Sequence, residues 1–304
     1  FDILNSILLI LVLLFSLFFL GKSILKILNL ENLKLNILTG YSFTILFVNT
    51  LFFLDVTMNK IRYLLLLIIL LSIIFTVFKC DKKYFKDFIK VILDQSILLL
   101  IFVLSIFLYG EQFYIFRGNH YDTINYTAMS LLSSLYSYSE IINISNFTNY
   151  PFLLDYSKVF VHDRPTVSLL ISIFYLPKFI DLYLVNYIYK FLFLFCIQQS
   201  VSFFLKNIFP NFSNLKILFF SNLFTLSFFS VYIFEIDAYS QLAALSLSII
   251  LISFVIKLKS YNYKNNYLIL LTLISSAFFL IYPEQAIIYF LLISLFLLIN
   301  INKT

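Results

Sequence analysis

One stretch of this otherwise apolar chain, Arg117–Pro165, concentrates side chains that can exchange protons or bind ions. It holds both histidines of the chain, and each histidine has an acid within two residues. Such a group is either a water-exposed loop or an active site at a membrane surface, and the residue types alone leave both interpretations open. The side chains concerned are Arg117, His120, Asp122, His162, Asp163 and Arg164.

Asp122 precedes an amphipathic segment, which predicts a helix lying along the outer membrane surface. Its apolar residues recur three or four apart, whereas the residues between them are polar. A carboxylate near the start of that helix is favoured by the helix dipole and stays ionised, which suits a general base or a cation ligand. An ordinary helix-capping Asp is the alternative. The apolar residues are Tyr126, Met129, Leu132 and Leu135, and the polar ones are Thr127, Ser130, Ser133 and Ser134.

A second feature is the sequence His162-Asp163-Arg164-Pro165, which precedes the short apolar segment Thr166–Leu176. Proline is favoured in the first turn of a helix, and Asp163 could cap that helix. The planar guanidinium of Arg164 suits a phosphate, whose oxygens it binds in pairs.

Two further acidic features lie nearer the C-terminus. Glu235 and Asp237 occupy a turn between two apolar segments, where they are either functional groups or solvated helix ends. Glu284, in Tyr282-Pro283-Glu284-Gln285, lies between two apolar runs with almost no loop. An acid so close to hydrocarbon is costly unless it is paired or hydrated, so Glu284 is a functional candidate.

A metal site formed by the histidines and their neighbouring acids is an open alternative. Such a site would use His120, Asp122, His162 and Asp163, and a divalent cation would then be the cofactor. No four-ligand pattern of known spacing accompanies them, so we assign no definite cofactor.

The composition indicates which kind of fold carries these candidate residues. Of 304 residues, 62% are hydrophobic and 12% are charged, against about 25% in soluble domains. Mean hydropathy is +0.99, and long apolar runs recur throughout, which predicts an all-α polytopic transmembrane bundle. Cys80 and Cys196 are far apart, so no disulfide framework is expected. The first residue is Phe, so we expect the sequence to be a piece of a longer protein.

We predict nine spans. Their lysines fall on one face and most acids on the other, which orients the chain by the positive-inside rule. This orientation requires that Thr166–Leu176 does not cross the bilayer, and places the basic segment Lys79–Lys90 on the cytoplasmic surface. The expected parts are a four-span region at 1–109, an extracytoplasmic loop with juxtamembrane helices at 110–181, and a five-span region at 182–304. The spans are Ile3–Leu20, Ile37–Leu54, Tyr63–Phe78, Val91–Tyr109, Leu182–Leu205, Ile217–Phe234, Leu242–Ile256, Tyr267–Tyr282 and Ala286–Leu298.

This order of features resembles the GT-C membrane glycosyltransferases, which include protein O-mannosyltransferases and lipid A aminoarabinose transferases. In that group an early outer loop carries an acidic residue with a Tyr a few positions on, as in Asp122-Thr123-Ile124-Asn125-Tyr126. Thr123 stands where the group often has a second acid. A basic-Pro pair then opens a juxtamembrane helix, as Arg164-Pro165 does here, and a later outer turn carries a further acid. The resemblance covers roughly residues 116 to 290.

The resemblance implies a polyprenyl-phosphate-linked sugar as donor and a glycan, lipid or protein as acceptor. Asp122 would act as the base, with Glu235, Asp237 and Glu284 as further catalytic candidates. It also implies a bacterial cytoplasmic membrane, with the active face extracytoplasmic and no nucleic-acid partner. Residues expected to bind substrate or phosphate are Arg117, Tyr126, His162, Arg164 and Lys178.

Two other functions remain open from the sequence. An O-antigen-type polysaccharide polymerase or ligase is also polytopic with a large outer loop. Such proteins centre on arginines and histidine more than on an early Asp, and this chain has only three arginines. A membrane transporter would place charged or broken helices near the bilayer midplane. Asp55, Asp94 and Lys190 all fall at or near the ends of predicted spans, which does not favour a transporter.

Overall fold

A computed structural model describes residues 2–79, 84–109, 121–143, 151–162, 165–175, 182–227, 230, 238–257 and 265–301. Every regular element in these ranges is a helix, which confirms the all-α fold class. A short 3-10 turn, Glu31–Leu33, links the first two helices. The α-helices are α1 (Asp2–Ile27), α2 (Asn36–Phe53), α3 (Met58–Lys79), α4 (Tyr84–Asp94), α5 (Ser96–Tyr109), α6 (Tyr121–Leu135), α7 (Tyr138–Ile142), α8 (Pro151–His162), α9 (Thr166–Phe174), α10 (Leu182–Ile208), α11 (Asn214–Thr225), α12 (Tyr239–Lys257), α13 (Asn265–Ile281) and α14 (Pro283–Ile301).

Several of these helices are long and apolar enough to cross a membrane. Among the described residues, α1, α2, α3, α10 and α12 meet both conditions. The pair α4 and α5 would add a sixth span, although the two are bent by 57° at their junction. α13 and the apolar part of α14 are shorter, and part of the predicted span Ile217–Phe234 lies outside the described residues. The structure therefore supports five or six candidate spans, and the count of nine stays a prediction.

Helix α3 shows most clearly that the bundle has a lipid-compatible surface. It is apolar all round, yet Leu66, Leu67 and Leu71 are more than half exposed. Large exposed apolar faces are rare on soluble monomers and normal where lipid covers the protein.

Helices α1 and α2 pack so closely that only glycine fits at two positions. A Cβ added at Gly21 would lie 1.7 Å from the carbonyl oxygen of Asn36, and one at Gly40 would lie 2.0 Å from that of Leu17. Small residues allow this backbone approach between membrane helices. Two hydroxyl groups of α2 bond to carbonyls of their own helix, Ser42 to Leu38 and Thr44 to Gly40, each at 2.9 Å, so these two side chains enter the core with their hydrogen bonds satisfied.

The contacts between turns define two ends of the bundle. We call the first the α6 end, where the carboxylate of Asp55, in the α2–α3 turn, accepts bonds at 2.8 Å from the backbone and hydroxyl of Ser139. The second is the α4 end, where Lys22 pairs with Asp87 at 2.6 Å and Asn266 donates to the Leu28 carbonyl at 2.7 Å. This grouping of turns agrees with the predicted helix directions. Which compartment each end faces stays a prediction.

Helix α9 does not run the length of the bundle. It has nine residues, so it is about 14 Å long, well below the thickness of the hydrocarbon core. Its first residue, Thr166, lies 2.9 Å from the side-chain oxygen of Asn49, near the end of α2. Near its last turn, Arg62 of α3 donates to the carbonyls of Ser172 at 2.5 Å and Ile173 at 3.2 Å. Because Asn49 and Arg62 lie close to the same α2–α3 turn, both ends of α9 are held near the α6 end.

Both short helices predicted near the membrane surface bury side chains against neighbouring helices. Residues 166–173 of α9 are buried, so protein encloses this helix. In α6, Ser130 and Ser133 are fully buried together with the apolar Met129 and Leu132, whereas Leu135 is 61% exposed, so burial does not follow the alternation of apolar and polar residues. The physical reason is that these serines bond to carbonyls within α6 and are small enough to admit neighbouring helices.

Candidate functional site

The second turn of α6 meets the first turn of α12. The Tyr126 hydroxyl lies 2.7 Å from the Ser240 hydroxyl, and the rings of Tyr126 and Tyr239 have centroids 4.9 Å apart. Tyr126 lies one helical turn after Asp122, and Ser240 lies three residues after Asp237. The described neighbours of these two acidic features are therefore in direct contact.

A second contact joins the neighbours of the other two features. The Thr166 hydroxyl lies 2.7 Å from the carbonyl oxygen of Leu280. Thr166 follows Arg164 by two residues, and Leu280 precedes Glu284 by four. Glu284 itself is exposed in the first turn of α14, where the helix dipole favours its negative charge.

Helices α6 and α9 pack against each other, which joins these two contacts at the α6 end. The four segments that carry the candidate residues Asp122, Arg164, Asp237 and Glu284 therefore all have described neighbours at one end of the bundle. Whether their acidic and basic side chains face one cavity stays a prediction, because most of them lie outside the described residues.

The structure describes some of the predicted site residues in full, some by their backbone alone, and others not at all. Asp122 is the second residue of α6 and His162 the last residue of α8, and for both only the backbone is described. Tyr126 and Glu284 are described with their side chains. Outside the described residues lie Arg117, His120, Asp163, Arg164, Lys178, Glu235 and Asp237.

Sequence reasoning missed Lys190 as a site residue. Its amino group lies 5.3 Å from the centroid of the Tyr239 ring, a cation–π distance, and Tyr239 is 2% exposed. Lys190 is the ninth residue of α10, and it is partly buried among apolar neighbours rather than at the helix end. A cation within an apolar helix is costly and marks a functional candidate. The signal was a single lysine inside the run Leu182–Leu205.

Asn186 lies one turn before Lys190 in α10 and faces α6. It is 1% exposed, and its amide nitrogen donates to the Thr127 hydroxyl. Its side-chain oxygen is buried without a hydrogen-bond partner among the described residues. Residues four apart share a helix face, so α10 directs an amide oxygen and an ammonium group towards the second turn of α6 and the first turn of α12. Such a pair can bind hydroxyl and anionic groups. We call Tyr126, Asn186, Lys190, Tyr239 and Ser240 the Tyr239 cluster.

The described residues offer no metal centre. Within the ranges that the structure describes, no three His, Cys, Asp or Glu side chains lie close enough together to hold an ion. The side chains of the four weak metal candidates, His120, Asp122, His162 and Asp163, lie outside those ranges.

Comparison with protein-family models, curated proteins and solved structures gives no match for this chain. The GT-C resemblance therefore stands on the order of features and the sparse residues that carry it.

Proposed function

We propose that this chain is a membrane glycosyltransferase that moves a sugar from a polyprenyl-phosphate donor to an acceptor at the extracytoplasmic membrane face. The observation that supports this most is the meeting of Tyr126 with Tyr239 and Ser240. It brings together the segments that carry Asp122 and the acids Glu235 and Asp237. The Thr166–Leu280 contact adds the segments of Arg164 and Glu284 to the same end.

The proposed reaction needs one base and one anion-binding group. Asp122 removes the proton of the acceptor hydroxyl, whose oxygen then attacks the anomeric carbon of the sugar. The bond from that carbon to the phosphate oxygen breaks as the glycosidic bond forms, and the electron pair leaves with the lipid phosphate. Positive groups stabilise the charge that develops on this leaving group, a role for Arg117, Arg164 or Lys178.

Lys190 is a further candidate for holding the leaving phosphate. Its amino group lies 5.3 Å from the ring of Tyr239, in the first turn of α12, and we place the phosphate of a lipid-linked donor beside it. Its position in an apolar helix strengthens electrostatic attraction relative to water. Asn186, one turn away, would orient a sugar hydroxyl through its side-chain oxygen.

The test is transfer from a polyprenyl-phosphate-linked sugar by the purified chain in bilayer discs, followed as release of polyprenyl phosphate. Asp122→Asn should lower the rate by about 10² to 10⁴, because Asn cannot accept the proton. Asn is close to Asp in size and polarity, and loss of one charge in the first turn of a helix costs only about 0.3–1 kcal/mol, so the variant should fold normally and still bind donor. Full transferase activity in Asp122→Asn would leave Asp122 with a structural role at the helix start and move the search to Glu235, Asp237 and Glu284.

A further inference from the structure

A polar cavity opens at the α4 end of the bundle, opposite the proposed catalytic end. Its volume is about 570 Å³, within the range of small-molecule sites. Its walls come from α1, the 3-10 turn, α2, α4, α10 and α11, together with Gln95, which lies between α4 and α5. Nothing in the glycosyl transfer proposed above uses this cavity.

The floor of the cavity is built from buried amides. Gln95 and Gln198 are 1% and 2% exposed, and the amide of Gln95 donates to the side-chain oxygen of Gln198 at 2.7 Å. The side-chain oxygen of Gln95 is buried without a hydrogen-bond partner among the described residues, as is the amide nitrogen of Asn207. Buried polar atoms are normally paired, so an acceptor and a donor are left here for a ligand.

The floor coincides with a break in a helix. Gln95 lies between α4 and α5, which are bent by 57° relative to each other. In membrane proteins, discontinuous helices commonly line the sites of substrates and ions. The break therefore lies at the same residue as the unpaired amide oxygen of Gln95.

The rim of the cavity carries excess positive charge. Two of its carboxylates are already paired, Asp87 with Lys22 at 2.6 Å and Glu31 with Lys26 at 2.8 Å. The remaining charged rim residues are Lys34, Lys90, Lys206 and Asp94. Within the described part of the chain, no carboxylate lies within 4 Å of the amino groups of these three lysines.

We propose that this cavity binds a phosphorylated polyhydroxy compound. The rim lysines hold the phosphate, because ammonium groups form charge-assisted hydrogen bonds with its oxygens. The floor amides bind hydroxyl groups, with Gln95 accepting and Asn207 donating. A soluble sugar phosphate and a phosphoinositol lipid headgroup share this chemistry, and the probes below separate them.

Binding is measured by equilibrium dialysis of the full chain in phosphatidylcholine discs. The probes are glucose 6-phosphate and dihexanoyl phosphatidylinositol. The double variant Lys34→Ala/Lys206→Ala removes two rim lysines. It should lower the affinity for the probe by about a hundredfold, roughly tenfold for each charged hydrogen bond that is lost. Lys86→Ala is the matched control, because Lys86 is an exposed α4 lysine outside the cavity lining. The Lys86→Ala variant should bind the probe with the same affinity as the unchanged chain.

The floor is tested separately with Gln95→Leu. This change should lower the affinity for the polyhydroxy probe about tenfold. It should leave the affinity for inorganic phosphate unaltered, since the amide contacts hydroxyls rather than phosphate. If only glucose 6-phosphate binds, the natural ligand is a soluble sugar phosphate; if only dihexanoyl phosphatidylinositol binds, it is a lipid headgroup. Failure of both probes to bind, or equal affinity in the double variant and Lys86→Ala, overturns the proposal. Because these readouts are binding at the α4 end, they are independent of transferase activity.

Discussion

At the residue scale, the proposed role of Lys190 predicts how two substitutions change the transfer rate. Lys190→Met keeps the length of the side chain but removes the charge, so the transfer rate should fall by about 10² or more if Lys190 stabilises the leaving phosphate. Lys190→Arg keeps the charge and should retain much of the activity. The transfer rates of both variants are measured as polyprenyl-phosphate release, and thermal unfolding checks that each variant is folded. A fully active Lys190→Met would mean that Lys190 serves only to pack against Tyr239.

Asp55 supports a prediction about pH. Hydrogen bonds from the Ser139 backbone and hydroxyl lower the pKa of this carboxyl below its ordinary value. A depressed folded-state pKa means that the anchoring contribution is complete above the unfolded pKa, about 4, and is lost as pH falls through the folded pKa. Hydrogen exchange of the Ser139 amide should therefore accelerate as pH falls below about 4, after correction for intrinsic exchange. Asp55→Asn, which tolerates the left-handed backbone at this position, should show no such transition.

At the element scale, Gly40 tests the α1–α2 contact. Alanine normally stabilises a helix by about 1 kcal/mol relative to glycine. At Gly40 a Cβ would lie 2.0 Å from the Leu17 carbonyl oxygen, so Gly40→Ala should instead destabilise the fold by about 1–3 kcal/mol. Thr50→Ala, at an exposed position of the same helix, is the control. Thermal unfolding in detergent measures both, and a stabilised Gly40→Ala would show that the two helices do not pack this closely.

Periodicity predicted the helices better than it predicted their surroundings. The long apolar runs of α2, α3 and α10 lie close to their predicted bounds, because roughly 20 apolar residues identify a span by length alone. The period of α6 did not reveal that Ser130 and Ser133 are buried beside Met129 and Leu132, since a 3.6-residue period shows which residues share a face but not which neighbours cover it. Lys190 was missed for a related reason: whether a single lysine snorkels or points inward depends on helix contacts.

At the scale of the whole molecule, the prediction concerns which compartment each end faces. We expect the α6 end outside and the α4 end in the cytoplasm, because the lysine-rich turns lie at the latter. An exposed residue at each end serves as a cysteine probe: Asn143→Cys for the α6 end and Lys86→Cys for the α4 end. The background carries Cys80→Ser, while Cys196 is buried and should not react.

A membrane-impermeant maleimide added to intact cells should label the Asn143→Cys chain and spare the Lys86→Cys chain until the membrane is permeabilised. The physical reason is that the hydrocarbon core excludes the charged reagent, so labelling reports the compartment of the thiol. The reverse pattern would put the Tyr239 cluster beneath the cytoplasmic face. A donor displayed outside could not then reach Asp122, and the phosphate-binding cavity would open to the exterior. Equal labelling of both before permeabilisation would contradict the separation of the two ends.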